Sequence, residues 1–265
     1  MASRTQQKAQ ARAQRVAEER AQAQRARRQS RLRILAGVVA LAATVVAVAV
    51  AISAGSASSA PKTTSVAAKH VSATVNRLLG GIPESGNTLG SPHAKVTLTE
   101  FGDLKCPICR AFALGPEATL ISKDVRAGKV KIVYRSLCTA TCGGPQPVAF
   151  STQQAAAMAA GLQGRAWYYI ELFYHLQGDE NTSYVNPGFL DGLARLVGGL
   201  HYGKWLHDRS SPQLAAAVSS DQRSAHALGF SGTPSVLVQG PRGARTIPYL
   251  GNYQTYESAI KAVEG

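Results

Sequence analysis

The chain has 265 residues, 45% of them hydrophobic and 17% charged, with a formal net charge of +14. That length holds one large domain or two small ones. The charge is local: residues 1–33 carry ten basic and two acidic residues, a net +8, leaving +6 for the rest. With no base-reading module beside the basic stretch, a nucleic-acid partner is not expected.

Residues 2–33 are rich in Ala, Gln, Arg and Glu and lack Gly and Pro, which favours helix. They are expected to form a basic cytoplasmic segment whose proximal arginines meet anionic membrane lipid. Ile34–Ile52 follows, nineteen residues without a charge. As a helix it spans roughly 28 Å at 1.5 Å per residue, close to the ~30 Å hydrocarbon core of a bilayer. Arg25, Arg27, Arg28, Arg31 and Arg33 crowd its N-terminal flank, while only Lys62 and Lys69 come soon after it. The positive-inside rule then places residues 1–33 in the cytoplasm and the rest of the chain outside it, on a single-pass anchor at 34–52. A cleaved signal peptide is the competitor, because Ser53–Ala60 is rich in small residues. Its usual apolar region of about 7–15 residues is shorter than this one, which favours an uncleaved signal-anchor. Residues 53–81 read as a Ser/Ala/Thr-rich linker with a short helix over 70–80, and Ile82–His93 as a loop entering a folded domain, 82–265.

Val96-Thr97-Leu98-Thr99-Glu100-Phe101 alternates and predicts a strand over 95–102. Cys106-Pro107-Ile108-Cys109 comes next and opens a helix from about 107. Two cysteines three apart at a strand-to-helix junction close a disulfide with little backbone movement. The first stands where unpaired N–H groups and the helix dipole favour a thiolate. That arrangement suits reversible thiol–disulfide exchange. Pro107 lacks an N–H to satisfy and its fixed φ suits the first helical turn.

A second strand is predicted over Val130–Ser136, followed by Cys138-Thr139-Ala140-Thr141-Cys142. All four cysteines lie beyond the apolar stretch, on the side where disulfides persist. A Cys138–Cys142 bridge closes a five-residue loop, worth ~2 kcal/mol on a chain-entropy estimate. A structural disulfide is the expectation; a second redox pair and a zinc site using all four thiolates are the alternatives. Residues 146–228 read as mainly helical, in segments 147–162, 165–177, 187–198 and 212–228. Trp167, Tyr168, Tyr169, Phe173 and Tyr174 fall on one of them and are expected in its core. Ser235–Gln239 is β-like, Gly240-Pro241-Arg242-Gly243 turns into a strand at 244–250, and Tyr253–Val263 closes as a helix. The six histidines are scattered without ligand spacing, and no metal is expected.

The order is β-α-β, a helical block, then β-β-α. Together with Gly-Ser-Pro-His-Ala-Lys-Val-Thr-Leu-Thr-Glu-Phe-Gly-Asp-Leu-Lys-Cys-Pro-Ile-Cys (90–109) and Gly-Thr-Pro-Ser-Val (232–236), it makes residues 82–265 resemble the thioredoxin superfamily. Within that superfamily the chain is similar to the membrane-anchored, DsbA-like thiol–disulfide oxidoreductases. The resemblance implies an α/β thioredoxin fold with a helical subdomain inserted at about 146–228. It assigns Cys106 as an exposed nucleophile and Cys109 as the resolving thiol, acting through a mixed disulfide. Pro234 is expected to follow a cis bond beside the reactive pair, with Thr233 offering its backbone to an extended substrate. Glu100 is expected beneath the cysteines, its pKa raised by burial, where it takes the proton of Cys109. Lys105 reads as a solvated cation of small effect, and Asp103 as a solvated loop residue. Ile108 departs from the family's strongest oxidants, which carry histidine there, so weaker thiolate stabilisation is expected.

The expected function is disulfide donation to cysteine-containing secreted or envelope proteins, with a membrane redox partner recycling Cys106–Cys109. No organic or metal cofactor is implied, since the active disulfide carries the two electrons. A reductase or isomerase is the alternative within the class, and a non-catalytic thioredoxin-like binding module the alternative outside it.

Overall fold

The computed structural model describes residues 62–248 and 250–265. The basic segment 1–33, the apolar stretch 34–52 and the linker up to residue 61 lie outside the described residues. Among the described residues, no helix is long and apolar enough to cross a membrane.

The chain begins with α1 (Val66–Leu79), the short strands β1 (Glu84–Ser85) and β2 (Thr88–Leu89), and β3 (Val96–Gly102). Helix α2 (Pro107–Phe112) then runs on through π turns at Ala113–Glu117 and Ile121–Val125, joined by one α turn at Ala118–Leu120, before β4 (Val130–Ser136). The insertion comprises α3 (Ala140–Gly143), α4 (Ala149–Gly161), α5 (Ala166–His175), α6 (Pro187–Leu196), α7 (Tyr202–Asp208) and α8 (Pro212–Ala227). The hairpin β5 (Ser235–Gly240) and β6 (Gly243–Ile247) and the helix α9 (Tyr253–Val263) complete the domain.

One sheet has the order β1-β2-β4-β3-β5-β6. Its centre is β3, parallel to β4 and antiparallel to β5. A parallel pair needs a crossover, and α2 with its continuation supplies it. Because β3 is flanked on both sides and covered on both faces, only Thr97 of its seven residues is not buried. In β4 the alternation survives, with Val130, Ile132, Tyr134 and Ser136 turned inward. Phe101 packs on Phe230 with ring centroids 5.5 Å apart, in a second small core with Leu137 and Ala225.

Along α2 and its continuation the buried residues include Cys109, Phe112, Ala113, Glu117, Leu120, Ile121, Asp124 and Val125, close to a four-residue repeat. A helix of 3.6 residues per turn drifts by about 40° at each such step. The wider π turns absorb that drift and keep one stripe facing the sheet. In α4 every residue from Gln153 to Gly161 is buried, as befits a helix enclosed by the insertion. Trp167, Tyr169, Phe173 and Tyr174 are fully buried on α5, and Tyr168 is half-buried.

Four boundaries differ from the sequence expectation. Residues 66–79 are a capped helix of the domain rather than linker: the Ser65 hydroxyl accepts from the Ala68 N–H at 3.1 Å, and Ala68, Val75 and Leu79 are buried. Arg126 closes its other end, donating to the carbonyls of Leu78 and Gly80. Its few large apolar residues gave a weak periodic signal. The loop expected at 82–93 contains the β1–β2 hairpin, two residues per strand, too short for alternation to register. Helix α7, not foreseen, is held by Trp205, whose indole donates to the Ala156 carbonyl at 2.8 Å. The last strand ends at Ile247 rather than 250.

Candidate active site

The sheet register brings distant segments to one point. Glu100 pairs with Tyr134 on β4 and Val236 on β5, and Phe101 with Ser235. Since β5 runs antiparallel, it starts where β3 ends, so Thr233-Pro234 arrives beside the loop that leads into α2. The Thr233–Pro234 bond is cis, as expected. The Cys106 thiol donates to the Thr233 carbonyl at 3.7 Å.

Cys106 is the N-cap of α2 and Pro107 its first residue. Both active-pair cysteines are free thiols. Cys106 is 6% exposed and Cys109 0%, so the expected exposed nucleophile is largely covered, with Thr233 against its sulfur. Ile108, 48% exposed, supplies an apolar rim. The two thiols are pushed apart in acidity. A hydrogen bond from Cys109 is the chief cause that lowers Cys106 from 9.0 to about 6; burial opposes it, and Thr233 and the N–H groups of Cys109 and Ile108 add to it. Cys109 moves well above its ordinary range through burial, the hydrogen bond to Cys106, and the charges of Cys106 and Glu100.

Asp103 and Lys105 contradict the expectation of solvated side chains: both are fully buried. Asp103 Oδ2 accepts from the N–H groups of Thr139 (3.0 Å) and Thr141 (2.8 Å). Its Oδ1 accepts from the Lys105 N–H (3.1 Å), Gln153 (3.0 Å) and the Thr141 hydroxyl. One carboxyl therefore ties the active loop to the segment spanned by the Cys138–Cys142 disulfide, which is formed, with Cα atoms 5.7 Å apart. The bonded pair removes two ligands from the four-thiolate zinc alternative. Within that loop the Thr139 hydroxyl meets the Thr233 hydroxyl at 2.5 Å. Lys105 Nζ lies over the Tyr184 ring, 5.7 Å from its centroid, and burial lowers its pKa against the pull of Asp103, Glu180 and Asp179. It is a packed side chain, not a free cation beside Cys106. From the insertion, Gln177 donates to the carbonyls of Leu104 (2.8 Å) and Cys106 (3.1 Å), fixing the same loop. Asp103→Ala should destabilise the domain by ~3 kcal/mol or more, because several buried donors lose their acceptor at once; chemical denaturation of both proteins measures it.

Glu100 is fully buried, as expected, and its pKa is raised to about 8, chiefly by burial, with the charges of Glu171 and Cys106 adding and a hydrogen bond from Glu117 opposing. Two companions were not foreseen. Glu117 and Glu171 are also fully buried and lie well above the ordinary carboxylate range, again chiefly through burial. Glu171 did carry a signal, as the lone acid in Trp-Tyr-Tyr-Ile-Glu-Leu-Phe-Tyr (167–174); Glu117 carried none. Gly102 leaves room beside Glu100: a Cβ there would stand 3.0 Å from Glu100 Oε1 and 2.8 Å from the Tyr134 ring.

The family model described as Thioredoxin matches residues 84–262. The chain is similar to disulfide bond formation protein D of Bacillus subtilis, 24% identical over 66% of this chain and 74% of that protein. It is also similar to part of the Na(+)/H(+) antiporter NhaA 1 of Mycolicibacterium gilvum, 30% identical over 60% of this chain, and spans about a quarter (24%) of that protein's length. Among solved structures, oxidised BdbD from Bacillus subtilis shares the fold at TM-score 0.58 and 21% identity, covering 68% of this chain and 94% of that one. DsbA2 from Pseudomonas aeruginosa does so at TM-score 0.54 and 21% identity, covering 68% and 95%. With its cysteine pair, cis-proline and helical insertion in place, the chain belongs to the thioredoxin family and shares the fold of the BdbD and DsbA structures.

Proposed function

We propose that the protein is an extracytoplasmic oxidase that passes the Cys106–Cys109 disulfide to cysteine-containing secreted or envelope proteins. The observation that carries this is the opposed acidity of the two thiols. A Cys106 thiol lowered to about 6 is a thiolate at neutral pH, which stabilises the reduced form and makes the disulfide a better oxidant. In the forward reaction a substrate thiolate attacks Cys106. The Cys106–Cys109 bond breaks, a mixed disulfide forms, and Cys109 departs and takes a proton from Glu100. A second substrate thiolate then attacks the mixed disulfide, leaving an oxidised substrate and a reduced enzyme. Thr233 at the cis-proline holds the extended substrate, and Pro107 and Ile108 border the sulfur. A membrane redox partner accepts the two electrons and restores the disulfide.

Residues 34–52 anchor the chain in this reading, with 1–33 in the cytoplasm against anionic lipid. The expected result is that the oxidised full chain speeds disulfide formation in a reduced, unfolded substrate protein, and that protease outside intact cells digests the domain. Faster cleavage of substrate disulfides with no net oxidation would make it a reductase, and a protected domain would overturn the topology.

A further inference from the structure

Three fully buried glutamates sit on three separate elements: Glu100 on β3, Glu117 at the end of the first π turn, and Glu171 on α5. Apart from the hydrogen bond between Glu100 and Glu117, their six carboxyl oxygens have no hydrogen-bond partner. Buried acids without such partners weaken a fold relative to apolar residues of the same size, so three together call for a use. They also form a series. Glu117 hydrogen-bonds Glu100, which also feels the charges of Glu171 and Cys106; the π turn that carries Glu117 packs against α5, whose Glu171 feels the charge of Glu117. One helical turn on, His175 Nε2 stands 4.0 Å from Glu171 Oε2, and the His175 side chain is 24% exposed. Arg110 on α2 faces His175 and, with burial, favours the neutral imidazole. Tyr134 and Tyr174 also face Glu100 and Cys109, but burial holds both phenols far above neutrality.

We propose that Glu117, Glu171 and His175 form a proton path joining Glu100 to solvent. The inference rests on the reading that Glu100 serves Cys109, and asks where the Glu100 proton comes from. When substrate sulfur displaces Cys109, the departing sulfur keeps the bonding electron pair and takes one proton from Glu100. Glu100 regains one from Glu117, Glu117 from Glu171, and Glu171 from His175, which draws one from water. One proton enters for each Cys109 thiol formed, and the carboxyls and imidazole end as they began. The 4.0 Å step at the outer end is closed by a side-chain adjustment or one bridging water. In the opposite direction the same series carries the proton of Cys109 outward.

The test is single-turnover reduction of the oxidised full chain by an excess of a dithiol peptide near pH 7, below the value of about 8 at which Glu100 gives up its proton. In wild type a solvent isotope effect of about 2 or more is expected. His175→Ala should slow the reaction roughly tenfold, within the usual reach of proton-transfer groups, and imidazole in the buffer should restore it. Glu171→Gln, of the same shape, should slow it at least as much without rescue by imidazole, since the break is then internal. The reduction potential of His175→Ala should match wild type, because the end states are unchanged, and thermal unfolding should show both variants folded. Wild-type rates in both variants, or no isotope effect in wild type, overturn the path. If Glu100→Gln alone is slow, the proton travels elsewhere and only this inference falls; if Glu100→Gln is as fast as wild type, the role of Glu100 falls as well.

Discussion

Cys106→Ser should abolish disulfide transfer, whereas Cys109→Ser should leave the chain covalently tied to its substrates. The difference follows from where the two sulfurs sit. Cys106 is the helix N-cap, largely covered but ionised at neutral pH, while Cys109 is sealed beneath it. A serine hydroxyl at 106 is not ionised at neutral pH and forms no disulfide, so turnover should drop at least ~1000-fold, as for other lost nucleophiles. With Cys106 intact and Cys109 gone, the Cys106 thiolate attacks a substrate disulfide, releases one substrate thiol and stays in a mixed disulfide that no internal thiol resolves. Non-reducing gels should show the trapped adducts, and reductant should release them. Cys109→Ala carries a further consequence: the chief hydrogen bond on Cys106 disappears, and its pKa should climb back toward 9.0. Full activity in Cys106→Ser would remove the assignment.

The stability of the reduced protein, measured against the oxidised one, should rise by about 2–4 kcal/mol between pH 6 and pH 9. Cys106 is a group whose folded pKa, about 6, lies below its unfolded value near 9.0. Its contribution is therefore full above about 9 and is lost as pH falls through 6. Three units at 1.36 kcal/mol each give the upper figure, and partial solvent screening at the rim gives the lower. The oxidised chain has no such proton to lose, so the difference between the two forms isolates the effect. Thioredoxin's own reactive thiol lies near 7, so about one further unit of acidity, ~1.4 kcal/mol, moves this couple ~30 mV above thioredoxin's −270 mV. The potential should fall by ~60 mV per pH unit below pH 6 and by ~30 mV per unit above it, where one proton instead of two accompanies the two electrons. Equilibration with glutathione across that range reads both numbers. A single steep slope through pH 8, at a potential as low as thioredoxin's, would mean that electrons flow from this protein to its substrates.

The redox pair, the cis-proline and the buried Glu100 were legible in the sequence because each lies in a short stretch whose residues carry the resemblance. What escaped depends on tertiary partners. Nothing local in Gly102-Asp103-Leu104-Lys105 says that the acid will find two N–H groups of the disulfide loop or that the lysine will lie over Tyr184. Glu117 is turned inward by a π turn, and a 3.6-residue periodicity has no place for one. Helix α1 is legible only over 70–80, and its first turn at 66–69 reads as tether, for a related reason: Ala68, Val75 and Leu79 gain their meaning from the helices they pack against.

The small bridge beside the active loop changes what a thiol assay counts. A titration that assumes one couple expects two electrons and two new thiols, whereas this domain holds four cysteines and stores four electrons once fully reduced. Because the second couple closes only a five-residue ring, its chain-entropy advantage is ~2 kcal/mol, the low end for a disulfide. Strong dithiols at high excess will therefore open both. The loss of Cys138–Cys142 also frees Thr139 from the segment that holds Thr233, so the first couple will drift as the second titrates. Stoichiometry should be fixed by alkylation and mass measurement at each poise before any midpoint is assigned to Cys106–Cys109.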